Sequence, residues 1–369
     1  MKKILFFIHD LGQGGAEKVL VNLVNNMDRT KFDITVQVLF AGGVNEQFLA
    51  PHIHYKSVFK KTFPANSKIL KLFSPQALHK CFIKERYDIE ISYLEGPSAR
   101  IISGCPDKST KLVSWIHCMH EDKKHFVASF RSFEEAKECY SRFDMTACVA
   151  ENVKQNFTSY INLDKPCAVF YNTIESDKVL KLSEEDIELN LDKGHCNIVT
   201  TGTIKEVKGY DRLLRIIKRL KDASVPVRMH FLGKGPLEDE LKQYVNDNGL
   251  NDCVSFLGYQ TNPYKYVAKM DLFVCSSYSE GFSTAVTESL IVGTPVVTTL
   301  CSGMTELLGE NDEYGIVTEN NEDALFEGIK HILTTDNLLK GYSIKAKERG
   351  SFFSTDNTVR AVEKMLSEL

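Results

Sequence analysis

The sequence predicts an α/β protein made of two doubly wound parallel-sheet domains, Rossmann-like in type, that face each other across a cleft. Three observations predict it. The chain has 369 residues, more than one ordinary α/β unit and enough for two at about 150 residues each. Short apolar runs alternate with helical patterns in both halves, the order that builds a parallel sheet. A polar, charged stretch without strand character, residues 175–194, separates the two series.

The first series reads strand 4–8, helix 16–26, strand 34–40, a mixed segment to residue 86, strands 89–93 and 111–116, helix 133–142, strand 145–150 and helix 150–160. Its opening imitates a signal peptide, but His9 and Asp10 end the apolar run well short of an h-region, so it reads as a buried strand. After residues 168–172 and the polar stretch, the second series runs strand 197–201, helix 210–222, strand 228–232, helix 237–248, strand 254–257, helix 262–269, strand 272–275, helix 283–292 and strand 295–299. The expected domains are therefore 1–174 and 175–350, with a C-terminal helix in 351–369 packing back on the first. In open parallel sheets ligands sit at the C-terminal strand ends, so the active site is expected where both domains line the cleft.

Composition narrows the function. The hydrophobic fraction of 43% and charged fraction of 25% are ordinary for a globular chain, and no run approaches the ~18 apolar residues of a membrane span. Ten scattered cysteines without paired C-x-x-C spacing read as free thiols in a reducing cytoplasm. A net charge of −4 divides unevenly: residues 1–172 hold 23 basic and 18 acidic residues (+5), the remainder 22 and 31 (−9). Residues 47–84 contain no acid, while Lys56, Lys60, Lys61, Lys68, Lys71, Lys80 and Lys84 interleave with Phe59, Phe63, Phe73 and Phe82. That pattern suits an anionic membrane surface; the alternative is a solvated basic face whose phenylalanines point into the core. No nucleic-acid motif accompanies it.

Glycine-containing loops mark the strand ends. Gly12-Gln13-Gly14-Gly15 opens a helix and could cradle a phosphate on backbone N–H groups. A dinucleotide fingerprint would need glycine at Glu17, which argues against a nicotinamide cofactor. Gly202 to Gly209 again joins strand to helix and places Lys205 and Lys208 where a diphosphate would lie, with Lys208 the preferred ligand. Gly233-Lys234-Gly235-Pro236 repeats the arrangement. The sharper signal is the run Ser279-Glu280-Gly281-Phe282-Ser283-Thr284, which leads into a helix carrying Glu288. Glu280 in the loop and Glu288 two turns along would address different parts of one extended ligand, and the helix start near Ser283 could hold a departing phosphate. His117, at the end of an apolar strand, is expected to point toward the cleft.

Together these residues resemble family 4 of the glycosyltransferases, retaining enzymes of GT-B architecture that build bacterial capsule, lipopolysaccharide, exopolysaccharide and lipid-linked glycans. The likeness spans nearly the whole chain and rests on Gly14-Gly15-Ala16-Glu17, Tyr171-Asn172-Thr173-Ile174, the Gly202 to Gly209 loop, and above all Glu280-Gly281-Phe282 with Glu288 and Gly293-Thr294-Pro295-Val296-Val297. It implies a catalytic set of His117, Lys208 and Glu280, with His120 an alternative to His117. It implies a donor site of Gly202, Thr203, Lys205, Lys208, Gly233, Gly281, Phe282, Ser283, Thr284 and Glu288, in which Glu288 bonds the donor ribose, Glu280 the transferred sugar and Lys208 the diphosphate. Gly14 and Gly15 would lie near the diphosphate and acceptor.

The family usually has Arg immediately after the glycine matching Gly202, and this chain has Thr203 there. Loss of such a clamp could cost on the order of a hundredfold in rate unless Lys205 substitutes. The chain contains no D-x-D, which fits the metal-independent transfer the resemblance implies, with no cofactor and the nucleotide diphosphate-sugar, UDP favoured, as co-substrate. The expected partners are that donor, a lipid-linked or saccharide acceptor and the inner face of the cell membrane, not nucleic acid. Rival readings are a nucleotide-sugar 2-epimerase, which the basic aromatic stretch argues against, and a non-catalytic partner subunit, which Thr203 favours. A periplasmic sugar-binding protein would need an export signal.

Overall fold

A computed structural model describes residues 1–161 and 164–369. The chain forms two compact units, Met1–Thr173 with Thr355–Leu369, and Ile174–Ser354.

The first unit is a seven-stranded sheet of β1 (Lys2–Ile8), β2 (Phe32–Phe40), β3 (His54–Phe59), β4 (Ile89–Ser92), β5 (Lys111–Ile116), β6 (Met145–Cys148) and β7 (Cys167–Val169), ordered β3-β2-β1-β4-β5-β6-β7. All its pairings are parallel, with Ile4 opposite Ile34 on one side and Ile89 on the other. The central strands are buried and largely apolar, as expected of a parallel sheet covered on both faces, and Ile4 to Ile8 are fully buried. The helices are α1 (Gly15–Asn26), α2 (Asn66–Leu70), α3 (Pro75–Phe82), α4 (Pro97–Ile102), α5 (Lys123–Phe126), α6 (Phe133–Ser141) and α7 (Glu151–Tyr160). Ser74, Asp122 and Ser132 cap α3, α5 and α6 by accepting the N–H groups of Ala77, His125 and Glu135.

The second unit is a six-stranded parallel sheet of β8 (Cys196–Thr201), β9 (Val227–Leu232), β10 (Val254–Gly258), β11 (Leu272–Cys275), β12 (Val296–Thr299) and β13 (Ile316–Thr318), ordered β10-β9-β8-β11-β12-β13. Its helices are α8 (Ser176–Ser183), α9 (Tyr210–Asp222), α10 (Glu238–Asp247), α11 (Tyr264–Val267), α12 (Thr284–Val292), α13 (Met304–Leu308), α14 (Glu322–Thr334) and α15 (Leu338–Phe352). The amphipathic stripe of α9, Leu213, Leu214, Ile216, Ile217 and Leu220, closes the core over β8 and β9. The last helix, α16 (Thr355–Glu368), belongs to the first unit. It buries Val359, Val362, Met365 and Leu366, and its end accepts the Lys2 ammonium at Leu366 O (2.8 Å) and Ser367 O (3.0 Å).

Three features sharpen the expectations from the sequence. The polar stretch 175–194 begins with a helix, α8, whose single apolar anchor Val179 packs with Ile291, too small a stripe to show as periodicity. The helix expected over 262–269 shrinks to α11. In the basic segment, Phe59, Phe63 and Phe82 turn inward: Phe59 and Phe63 pack on Phe40 at 5.6 Å each, and Phe82 on Phe59 at 5.6 Å. Those three are half-buried in a cluster with the buried Phe40, on the core side of the segment, whereas Phe73 is 52% exposed. Among the described residues no helix is long and apolar enough to cross a membrane.

Candidate active site

In the second unit the loops after β8, β9 and β11 interlock. Gly202, at φ +149°, and Gly233, at φ +141°, sit so close that a Cβ on Gly233 would lie 1.9 Å from Gly202 O. Gly209, at φ +61°, likewise leaves no room, since its Cβ would meet Ser276 O at 2.2 Å. Ser276 Oγ donates to Lys208 O (2.9 Å) and Tyr278 N–H to Val207 O (2.8 Å), so residues 202–209 and 276–280 form one surface. The buried Arg212 fixes it by donating to Ser276 O (2.8 Å from Nε) and Ser277 O (2.7 Å) and by stacking on the Tyr278 ring at 4.1 Å.

On that surface Lys208 Nζ and Ser277 Oγ both donate to Glu280 Oε1, each at 2.6 Å. The pair is largely shielded, with side-chain exposures of 22% for Lys208 and 13% for Glu280. Among the described residues Glu280 Oε2 carries no hydrogen bond, so one oxygen orients the carboxylate and the other keeps its accepting capacity. Lys205 and Thr203 are exposed, and neither joins this network.

Beyond Glu280 the chain enters α12 through Ser283, whose Oγ accepts the Val286 N–H (3.4 Å) and whose carbonyl accepts the Thr287 hydroxyl (2.9 Å). The Phe282 side chain is 7% exposed and packs on Phe353 at 5.9 Å, so Phe282 offers a ligand only its backbone, as does Gly281 beside it. Glu288 is half-buried, and Tyr264 on α11 donates to its Oε1 at 3.2 Å.

The first unit's loop is wired differently. Asp10 Oδ1 accepts the Gly12 N–H at 2.7 Å, and Oδ2 lies 2.7 Å from His9 Nδ1. Asn45 donates to Gly12 O. The donors expected to cradle a phosphate are thus partly occupied by a carboxylate. Burial, with the Asp10 charge adding, pushes the Glu17 carboxyl above its ordinary value. Around Gly14 a Cβ would meet the Glu17 carboxylate, while Gly15 has open space.

His117 follows β5 directly. Its ring packs at a tilt against Tyr93, with centroids 4.8 Å apart, and its Nε2 is shut off from solvent with no partner among the described residues. Burial drives its pKa down to about 4, against a smaller opposing pull from Glu95 and a hydrogen bond to the Tyr93 backbone, so the ring is neutral at physiological pH. Glu95, just past β4, holds the turn by accepting the His117 N–H at Oε2 (3.0 Å) and the Cys118 thiol at Oε1 (2.6 Å). His120 is tied to α7: Asn156 accepts its N–H (2.8 Å), Asn156 and Tyr160 donate to its carbonyl, and its ring lies edge-on to Phe126.

The structure therefore brings Lys208 and Glu280 into one ion pair, places Gly202 and Gly233 against each other, and leaves Glu288 on its own anchor. It adds Ser277, Arg212, Tyr264 and Glu95. A hydroxyl three residues before Glu280 and a carboxylate just past a strand end were the available signals for Ser277 and Glu95; the other two partnerships are long-range.

Residues 183–349 match the family model described as glycosyl transferases group 1, and residues 13–178 the model described as Glycosyltransferase Family 4. The N-acetylgalactosamine-N,N'-diacetylbacillosaminyl-diphospho-undecaprenol 4-alpha-N-acetylgalactosaminyltransferase of Campylobacter jejuni is 30% identical, over 99% of this chain and 100% of its own. Among solved structures, Anabaena HepE in complex with UDP superposes with a TM-score of 0.77 at 19% identity, covering 100% of both chains. The lipopolysaccharide outer core galactosyltransferase WaaB does so with a TM-score of 0.74 at 17% identity, again over 100% of both.

Proposed function

Since the chain belongs to the family 4 glycosyltransferases and has their two-domain GT-B fold, we propose that it is a retaining, metal-independent enzyme. In this reading it transfers a hexose or N-acetylhexosamine from a nucleotide diphosphate-sugar, UDP favoured, to a lipid-linked or saccharide acceptor in bacterial surface-polysaccharide synthesis. The observation that carries this reading is the Glu280 carboxylate, oriented through one oxygen by Lys208 and Ser277 while the other keeps its accepting capacity. The Campylobacter relative is named for a diphospho-undecaprenol-linked acceptor, and HepE has been seen with UDP and with UDP-glucose, which supports both ends of the proposed reaction.

The proposed chemistry uses the second unit for the donor. Glu280 Oε2 accepts a hydroxyl of the transferred sugar and Glu288 the ribose hydroxyls, while Gly202, Thr203, Gly233 and the backbone of Gly281 to Thr284 let the diphosphate approach closely. Lys208, whose ammonium has further N–H groups beyond the one given to Glu280, stabilises the charge that develops on the leaving diphosphate, aided by the N–H groups that start α12. Lys205 lies on the same loop as an accessory cation. The acceptor attacks on the face the diphosphate leaves, and a diphosphate oxygen takes its proton, so no protein nucleophile and no cofactor enters the scheme. In the first unit the neutral His117 lies on the side of the reacting sugar, and Gly14 and Gly15 border the acceptor. The 47–84 segment makes a peripheral contact with the anionic inner face of the membrane.

Thr203 favours a second reading, a non-catalytic partner subunit, because no arginine stands where the family's diphosphate clamp does. Measuring UDP or GDP release from a panel of nucleotide sugars, with and without a polyprenyl-diphosphate sugar, separates the two. Release that rises with acceptor supports the transferase; donor binding without release under every condition supports the subunit.

A further inference from the structure

We infer that the turn around residues 69–73 is a preformed wedge by which the first unit inserts into an anionic lipid bilayer. This deepens the proposed membrane contact of the 47–84 segment, and it rests on that contact alone, not on the identity of the donor.

The turn is two-sided. Leu70 points inward and is 7% exposed, whereas Ile69, Leu72 and Phe73 are 42%, 78% and 52% exposed. Single exposed apolar side chains are common on soluble proteins, but three within five residues on one turn form a local apolar knob.

The knob is rigidly held from beneath. Arg100, 2% exposed, donates to Leu70 O (2.9 Å) and Phe73 O (2.6 Å) and forks onto both oxygens of Glu135 (2.9 and 3.1 Å). Arg131 Nε donates to Lys71 O (2.6 Å), and its own N–H to Glu135 (2.7 Å). Burial alone would raise the Glu135 carboxyl, but the hydrogen bonds from Arg100 and Arg131 outweigh it and hold the carboxyl below its ordinary value, which keeps the clamp ionised. With three carbonyls engaged by arginines, the turn is ordered before anything docks on it.

Charge selects the partner. No acid occurs between Gln47 and Lys84, and Lys56 is paired outside that stretch with Glu85 at 2.6 Å. Among the described residues Lys60, Lys61, Lys68 and Lys71 enter no ion pair. An apolar tip flanked by unpaired ammonium groups, its own carbonyls already engaged, offers little to the hydrogen-bonding groups of a folded partner. A fluid, negatively charged headgroup layer over hydrocarbon satisfies both features, each lysine adding roughly fivefold to partitioning.

The test is co-sedimentation of the full-length protein with phosphatidylcholine vesicles, with and without phosphatidylglycerol. The wild type is expected to pellet only with the anionic vesicles. Leu72→Asp with Phe73→Asp should lower partitioning by at least about tenfold, Lys68→Glu with Lys71→Glu by at least about 25-fold, a factor that shrinks at high salt, and Tyr259→Asp, an exposed aromatic of the second unit, not at all. Both wedge positions face solvent, so circular dichroism should show the variants folded. A wild type that ignores anionic vesicles, or a wedge variant that binds as well as wild type, overturns the proposal. Transfer to a short-chain, water-soluble acceptor analogue separates this from the activity: its loss in the wild type sinks the acceptor reading while leaving the vesicle result to stand or fall alone.

Discussion

Both units end their first strand in a glycine-containing loop that opens a helix, yet the two loops have opposite electrostatic character. After β1, Asp10 occupies the Gly12 N–H and Glu17 stands over Gly14, its proton held more tightly by burial and by Asp10. After β8, Lys208 reaches over Gly202 and locks to Glu280. The same topology therefore puts a lysine ammonium beside one strand end and two carboxylates beside the other. Backbone amides at a helix start are an anion site only when no side chain of the same protein has already taken them.

If that contrast is functional, the largest effect should come from Glu280. Glu280→Ala is expected to lower donor turnover by about 10³-fold with circular dichroism unchanged, and Asp10→Ala by far less. Equal losses would erase the distinction between the two loops. Next, Lys208→Ala should reduce kcat by roughly 10²-fold, and Thr203→Arg, on an exposed site beside it, should raise donor affinity by up to about tenfold. Tight donor binding by Lys208→Ala would assign the diphosphate to the α12 start instead.

A stability comparison comes third. Gly233→Ala must force a Cβ to within 1.9 Å of Gly202 O at φ +141°, whereas Gly15→Ala meets open space. Thermal denaturation should show the former destabilised by about 2–3 kcal/mol and the latter within about 0.5 kcal/mol of wild type.

The smallest effect is pH-dependent and concerns two histidines of the first unit. His117, held near 4, contributes stability that is present above the ordinary histidine pKa and lost as pH falls toward 4. Burial alone would lower His79, but its hydrogen bonds to Cys105 and to Glu90, 2.7 Å away, raise it to about 9. Its contribution is therefore complete below the ordinary value and lost as pH rises through 9. Melting curves across pH should show His117→Asn flattening the acid limb and His79→Gln the alkaline limb, by a few degrees each. A shared change on one limb would contradict the assignment.

Much of the architecture was legible because its signal is local. Strand Lys111–Ile116, helix Tyr210–Asp222 and strand Leu272–Cys275 lie where periodicity places them. α8 was not anticipated and α11 is shorter than expected, because one or two buried residues in a short helix leave little period to detect. The site was legible as residue types at strand ends. Its wiring was not: Lys208 and Glu280 are 72 positions apart, and Arg100 and Glu135 are 35 apart.

Local residue order sets two series of strands and helices, the glycines that permit close loops, an acid-free basic segment, and the carboxylates and lysines available for chemistry. Folding alone packs Phe59, Phe63 and Phe82, half-buried, around Phe40 while leaving Leu72 and Phe73 in solvent, and it orients Glu280 through Lys208 and Ser277. Periodicity and composition are properties of neighbouring residues. Burial and pairing are properties of segments far apart in the chain, and the sheet order that joins them is set by packing.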